Sequence, residues 1–115
     1  MTASPRPVPL AQGIFYVATG LWPIVHLASF EAVTGPKVDR WLVRTVGGLI
    51  AAVGASLIAG AFERRTSRAV RMLGMGSAAA LGLADVIYAG RGRISKVYLG
   101  DAVAEGALIA GWVID

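Results

Sequence analysis

The 115-residue chain has no cysteine, which excludes disulfides, thiolate catalysis and cysteine-based zinc or iron–sulfur centres. It has one histidine, so a zinc site would have to be assembled almost wholly from carboxylates, against the usual ligand preference. No glycine-rich nucleotide fingerprint is present. No nucleophile–base constellation is present either, so no cofactor is expected and enzymatic activity is not the leading expectation. Charge is scarce too. Asp, Glu, Lys and Arg make up 16% of residues, where ~25% is usual in soluble domains.

What fills the chain instead is apolar. The hydrophobic set is 56%, and fifteen glycines come on top of it. Soluble domains counted with glycine reach only ~45–50%. A soluble protein this small has too little interior to hide that surface, so lipid is its natural solvent. The net charge of +4 would point to nucleic acid in a soluble domain. Here the cations fall in short connections between apolar runs, as in membrane proteins, and no nucleic-acid partner is expected. The segment Met1–Pro9 holds three prolines and a single Arg6, without the positive n-region of a signal peptide. The apolar run after it lacks a small-x-small cleavage site and reads as a retained first helix.

Four apolar stretches, Leu10–Phe30, Trp41–Phe62, Val70–Ala89 and Lys96–Ile114, each approach the ~20 residues that cross ~30 Å of hydrocarbon. Unpaired backbone groups in lipid cost several kcal/mol each, so these stretches are helices. The short connections make neighbours antiparallel. The expected fold is therefore all-α: an integral membrane antiparallel four-helix bundle, one transmembrane domain over residues 1–115. Small residues four apart, such as Gly47/Ala51 and Gly74/Ala78, allow close helix approach within the bundle or at a homodimer face. Pro23 cannot donate to the Thr19 carbonyl, so a kink is expected within the first helix.

Orientation is balanced. Arg6, Arg64, Arg65, Arg68 and Arg71 lie on one side, where the arginine cluster is suited to anionic headgroups. Lys37, Arg40, Arg44, Arg91, Arg93 and Lys96 lie on the other. With five cations against six, the positive-inside rule favours neither orientation, and a chain without bias can insert both ways.

The ionisable residues inside the stretches are layered. At ~1.5 Å per residue, His26 lies roughly 6 Å and Asp85 roughly 6 Å from the ends of their helices. Arg44 lies roughly 5 Å, Asp101 about 7 Å and Glu105 about 13 Å past the starts of theirs. With alternating helix directions, all five fall in one half of the membrane. Asp101 and Glu105, four apart, share a helix face. Acids at the bilayer centre cost ~2.5–3.5 kcal/mol on insertion scales and should turn inward toward partners. Two readings stay open: an ion-pair network that only fixes helix register, or the lining of a cavity for a small molecule, ion or proton. Under the second, His26, Arg44, Asp85, Asp101 and Glu105 are the ligand-binding candidates. Glu31, Lys37, Asp39 and Arg40 read as a solvated loop, and Trp22, Trp112, Tyr88 and Tyr98 as packing or interface anchors.

The stretches Gly20-Leu21-Trp22-Pro23-Ile24-Val25-His26, Ser29–Lys37 and Arg40-Trp41-Leu42-Val43, with Tyr98–Glu105 in the last helix, resemble small bacterial four-helix membrane proteins of unassigned activity. The resemblance covers under half the chain and implies a bacterial plasma-membrane location. Size and charge balance are also similar to the small multidrug-resistance exporters, but their essential glutamate in the first helix has no counterpart here. The expected function is a multi-pass membrane protein whose polar cavity binds a small molecule or ion. The alternatives are a proton-coupled small transporter, as a dual-topology homodimer, a structural or assembly subunit, and a membrane enzyme using His26 with an acid.

Overall fold

The computed structural model describes residues 5–114. Met1 to Ser4 and Asp115 lie outside it, and with them the first part of the Met1–Pro9 segment. The described chain is all-α: α1 Pro7–Val25, α2 Leu27–Thr34, α3 Arg40–Ala61, α4 Arg68–Gly90 and α5 Tyr98–Ile114. Three of these, α1, α3 and α4, are long and apolar enough to cross a membrane. At 17 residues, α5 is shorter.

The described residues form five helices, not the expected four, because the first stretch splits. Pro23 does not end α1, which continues to Val25. The chain leaves helical geometry at His26, with φ −148° and ψ 81°, and restarts one residue later. The restart is capped. The His26 Nδ1 accepts the Ser29 N–H at 3.2 Å, and the Trp22 indole N–H donates to the Ser29 hydroxyl at 2.8 Å. Trp22 and Phe30 then pack edge to face, with centroids 5.3 Å apart. A proline that frees one carbonyl, followed by a residue able to cap, turns the expected kink into a break. The last helix begins at Tyr98, not Lys96, because residues 95–97 form a turn in which the Ser95 carbonyl accepts the Tyr98 N–H.

Glycines set how the long helices meet. A β-carbon on Gly20 would collide with the Gly47 carbonyl oxygen, and one on Gly13 would lie 2.7 Å from the Gly54 carbonyl oxygen. Each pair is seven apart on its helix and the order is reversed, so α1 and α3 run antiparallel, backbone on backbone. In α4, Gly74 takes the Trp112 indole of α5, 2.5 Å from where a β-carbon would sit. Eight residues on, Gly82 faces the Glu105 β-carbon, so this pair is antiparallel too. By contrast, α3 and α4 touch little away from their connection, where Gly60 meets Val70.

Many large apolar side chains lie at the surface and several polar ones inside. Leu49 is 63% and Val103 74% exposed, while Gln12 and Glu105 are essentially buried. That inversion suits lipid outside, where apolar side chains need no cover.

Gly20→Val or Gly47→Val should therefore force the α1–α3 backbones apart and cost roughly 1–3 kcal/mol or more of stability. Gly76, with nothing within 4 Å of a β-carbon, should accept alanine without loss. Unfolding in mixed micelles compares the three variants, and equal stability would contradict the close contact.

Candidate functional site

Between the two helix pairs lies a cavity of about 360 Å³, to which every helix contributes. On one side α3 gives a wholly apolar wall of Leu42, Val43, Val46, Gly47 and Ile50. Opposite stand the acids, Asp85 from α4 with Asp101 and Glu105 from α5. Asp101 is close enough to interact with both Asp85 and Glu105, so the three form one cluster. Lys37 from the α2–α3 loop, Phe30 of α2 and Tyr98 at the start of α5 also line the cavity.

The expected layer is thus partly assembled. Asp85, Asp101 and Glu105 converge, as antiparallel packing of α4 and α5 requires. His26 and Arg44 do not join them, since both side chains are exposed and outside the lining. The imidazole is used as the cap of α2. Arg44 lies roughly 130° around α3 from the middle of the lining stripe, at ~100° per residue. Neither ion-pairs with the acids. Among the described residues the only salt bridge is Arg40–Glu31, at 3.4 Å.

The polar partners of the acids come instead from α1. The Tyr16 hydroxyl donates to a Glu105 carboxyl oxygen. One turn away, the Gln12 carbonyl oxygen accepts the Trp112 indole N–H at 2.6 Å, and its amide donates to the Gly74 carbonyl at 2.8 Å. Gln12, Tyr16, Trp112 and Glu105 are all essentially fully buried. Asp85 is buried as well, and its Oδ2 has no N–H or hydroxyl donor among the described residues, its polar neighbour being the Asp101 carboxyl. A buried acceptor left unpaired is rare and costly.

Charge does not mark Gln12 or Tyr16, because both are neutral here. Their signal is positional: Gln12, Tyr16, Thr19 and Pro23 follow i, i+4, i+7, i+11 and share one face of α1. Of its two expected roles, Trp112 takes that of a packing residue in the core. Lys37 is half-buried, not solvated, and no local pattern marks it.

The site can hold a positively charged or hydrogen-bond-donating group against its acids and an apolar body against α3. Among the described residues, no group of His, Asp and Glu is arranged to hold a metal ion. Comparison with protein-family models, with curated proteins and with solved structures finds no match.

Gln12→Leu strands the Trp112 indole N–H in the core and should cost about 1–3 kcal/mol. Adding Trp112→Phe removes the orphaned donor as well, so the double variant should lose less than the two single losses combined. Thermal unfolding of the four proteins measures this coupling, and additive losses would dismiss the hydrogen bond.

Proposed function

We propose that this chain is a four-crossing protein of the bacterial plasma membrane whose intramembrane cavity binds a small cationic molecule or ion without covalent chemistry. The carrying observation is that three carboxyls line one cavity and none of them is paired with a base among the described residues. Among the described residues, Lys37 is the only cationic side chain in the lining, and it is not within 4 Å of any of these acids. Three carboxyls facing one ammonium cannot all ionise together without a bound cation to offset their charge. A network that only fixed helix register would instead close on itself, with each acid paired to a base. The volume falls within the range of small-molecule sites, ~300–1,000 Å³.

The fourth crossing rests on α5. Its 17 residues span about 25 Å, and the turn at residues 95–97 extends its reach toward the ~30 Å core. Its antiparallel contact with α4 and the hydrogen bond of Glu105 with Tyr16 of α1 support this reading.

A second reading, a proton-coupled transporter working as a dual-topology homodimer, draws on the near-balance of cations, five against six, and on the hydroxyl–carboxyl contact of Tyr16 with Glu105. Fusions reporting the sidedness of both termini separate the two, because one fixed orientation removes the dual-topology form.

Tetramethylammonium and butylammonium should bind saturably to the protein in lipid nanodiscs. The double variant Asp101→Asn/Glu105→Gln should lose this binding while keeping its helical content. Arg44→Gln, outside the cavity, should leave binding unchanged. Full binding by the double variant, read by titration calorimetry, would end this proposal.

A further inference from the structure

At the edge of the cavity, apart from the acid cluster, lies Lys37. It belongs to the connection after α2, yet its ammonium is turned inward beneath aromatic rings. It lies 4.9 Å from the Tyr98 ring centroid and 5.8 Å from that of Phe30. The same nitrogen donates to the Thr34 carbonyl at 3.0 Å. Two ring faces and a carbonyl oxygen are the chemistry that receives a cation, because the π-face and the lone pair both present negative potential.

The loop is built to hold that side chain there. The Lys37 backbone N–H donates to a Glu31 carboxyl oxygen at 2.7 Å, and the other Glu31 oxygen pairs with Arg40. The Gly35 N–H donates to the Glu31 carbonyl at 2.8 Å, and the chain turns at Gly35 with φ +98°, a region that favours glycine. Glu31 therefore braces the connection on both sides of Lys37. A lysine in a free loop would extend into water, since an ordered long side chain loses rotamer entropy.

We propose that the Lys37 ammonium occupies the cation subsite at the edge of the cavity, and that the cavity's ligand is an alkylammonium whose head group takes its place. This rests on the cation-binding reading above and names the ligand class. A lysine side chain is itself an alkylammonium on a four-carbon stem, so the molecule carries its own stand-in for the ligand head. The alkyl body then lies along Val43, Val46 and Ile50, a wall that offers no polar side-chain partner to a hydroxylated ligand. Two ammonium groups cannot share one aromatic subsite without repulsion, so Lys37 acts as a tethered competitor that sets a threshold for occupancy. An anionic ligand would meet three carboxyls opposite.

The test titrates hexylammonium, with hexanol and hexanoate as controls, into the full chain in lipid nanodiscs, with empty nanodiscs as baseline. Lys37→Met and Lys37→Gln both remove the competing charge while keeping a flexible stem. Each should bind hexylammonium on the order of tenfold more tightly than the wild type, with hexanol and hexanoate bound by neither. Adding Tyr98→Leu to Lys37→Met should reverse much of the gain. If both Lys37 variants bind hexylammonium no better than the wild type, while Asp101→Asn/Glu105→Gln abolishes wild-type binding, the competitor role is wrong and the acid cavity stands. If hexanoate binds the wild type and is lost with Lys37, the residue is an anion anchor and the ligand class is overturned. If hexylammonium binds neither the wild type nor the Lys37 variants, the inference and the cation-binding reading fall together.

Discussion

The rest of the structure depends on the contact of Gly20 with Gly47, where two helix backbones meet with no side chain between them. Gly13 and Gly54 repeat it two turns away, so α1 and α3 are locked in angle and register along most of α1. A second unit forms where Trp112 fills the notch at Gly74. Each unit is tight, and the junction between them is not. Held by Gln12–Trp112 and Tyr16–Glu105 at the centre, the units leave α3 and α5 apart at one end, and the cavity is the space that remains.

Hydrocarbon reverses the usual division of labour between surface and interior. Lipid solvates Leu49, Met72, Leu83 and Val103 as well as a protein core would, so burying them gains little. Polar groups have the stronger reason to go inside, because an unpaired one facing lipid costs several kcal/mol. The buried set includes Gln12, Thr34, Asp85, Glu105 and the polar ends of Tyr16 and Trp112, beside Leu57 and small residues at the contacts. All but one of these polar side chains are paired with one another or with backbone. The exception is Asp85, and it faces the cavity.

Much of this is legible in the sequence. Span length, glycine spacing and the alternation of helix direction are properties of the chain itself, and they bring Asp85, Asp101 and Glu105 to one level. Register around a helix axis is a different quantity. Arg44 shares its depth with the acids but not their direction, and depth alone cannot separate the two. His26 falls outside the expected cluster because a proline inside an apolar run predicts a kink, whereas the outcome depends on whether a nearby side chain caps a restart. Gln12 carries a readable signal in the face it shares with Tyr16 and Pro23. Lys37 carries none, since its inward turn comes from Glu31, Gly35 and the rings of two other segments.

The break at His26 and the position of Lys37 are connected. Were the first helix continuous to Phe30, it would carry that ring onward along the axis of α1, away from the acids. The break lets α2 turn back so that Phe30 reaches the cavity, and the connection after α2 then brings Lys37 there as well. The capping bond of His26 holds α2 in this course, with Trp22 bracing both Ser29 and Phe30. His26 therefore shapes the site without touching it. A residue whose own side chain faces outward still decides which aromatic ring a cation would meet.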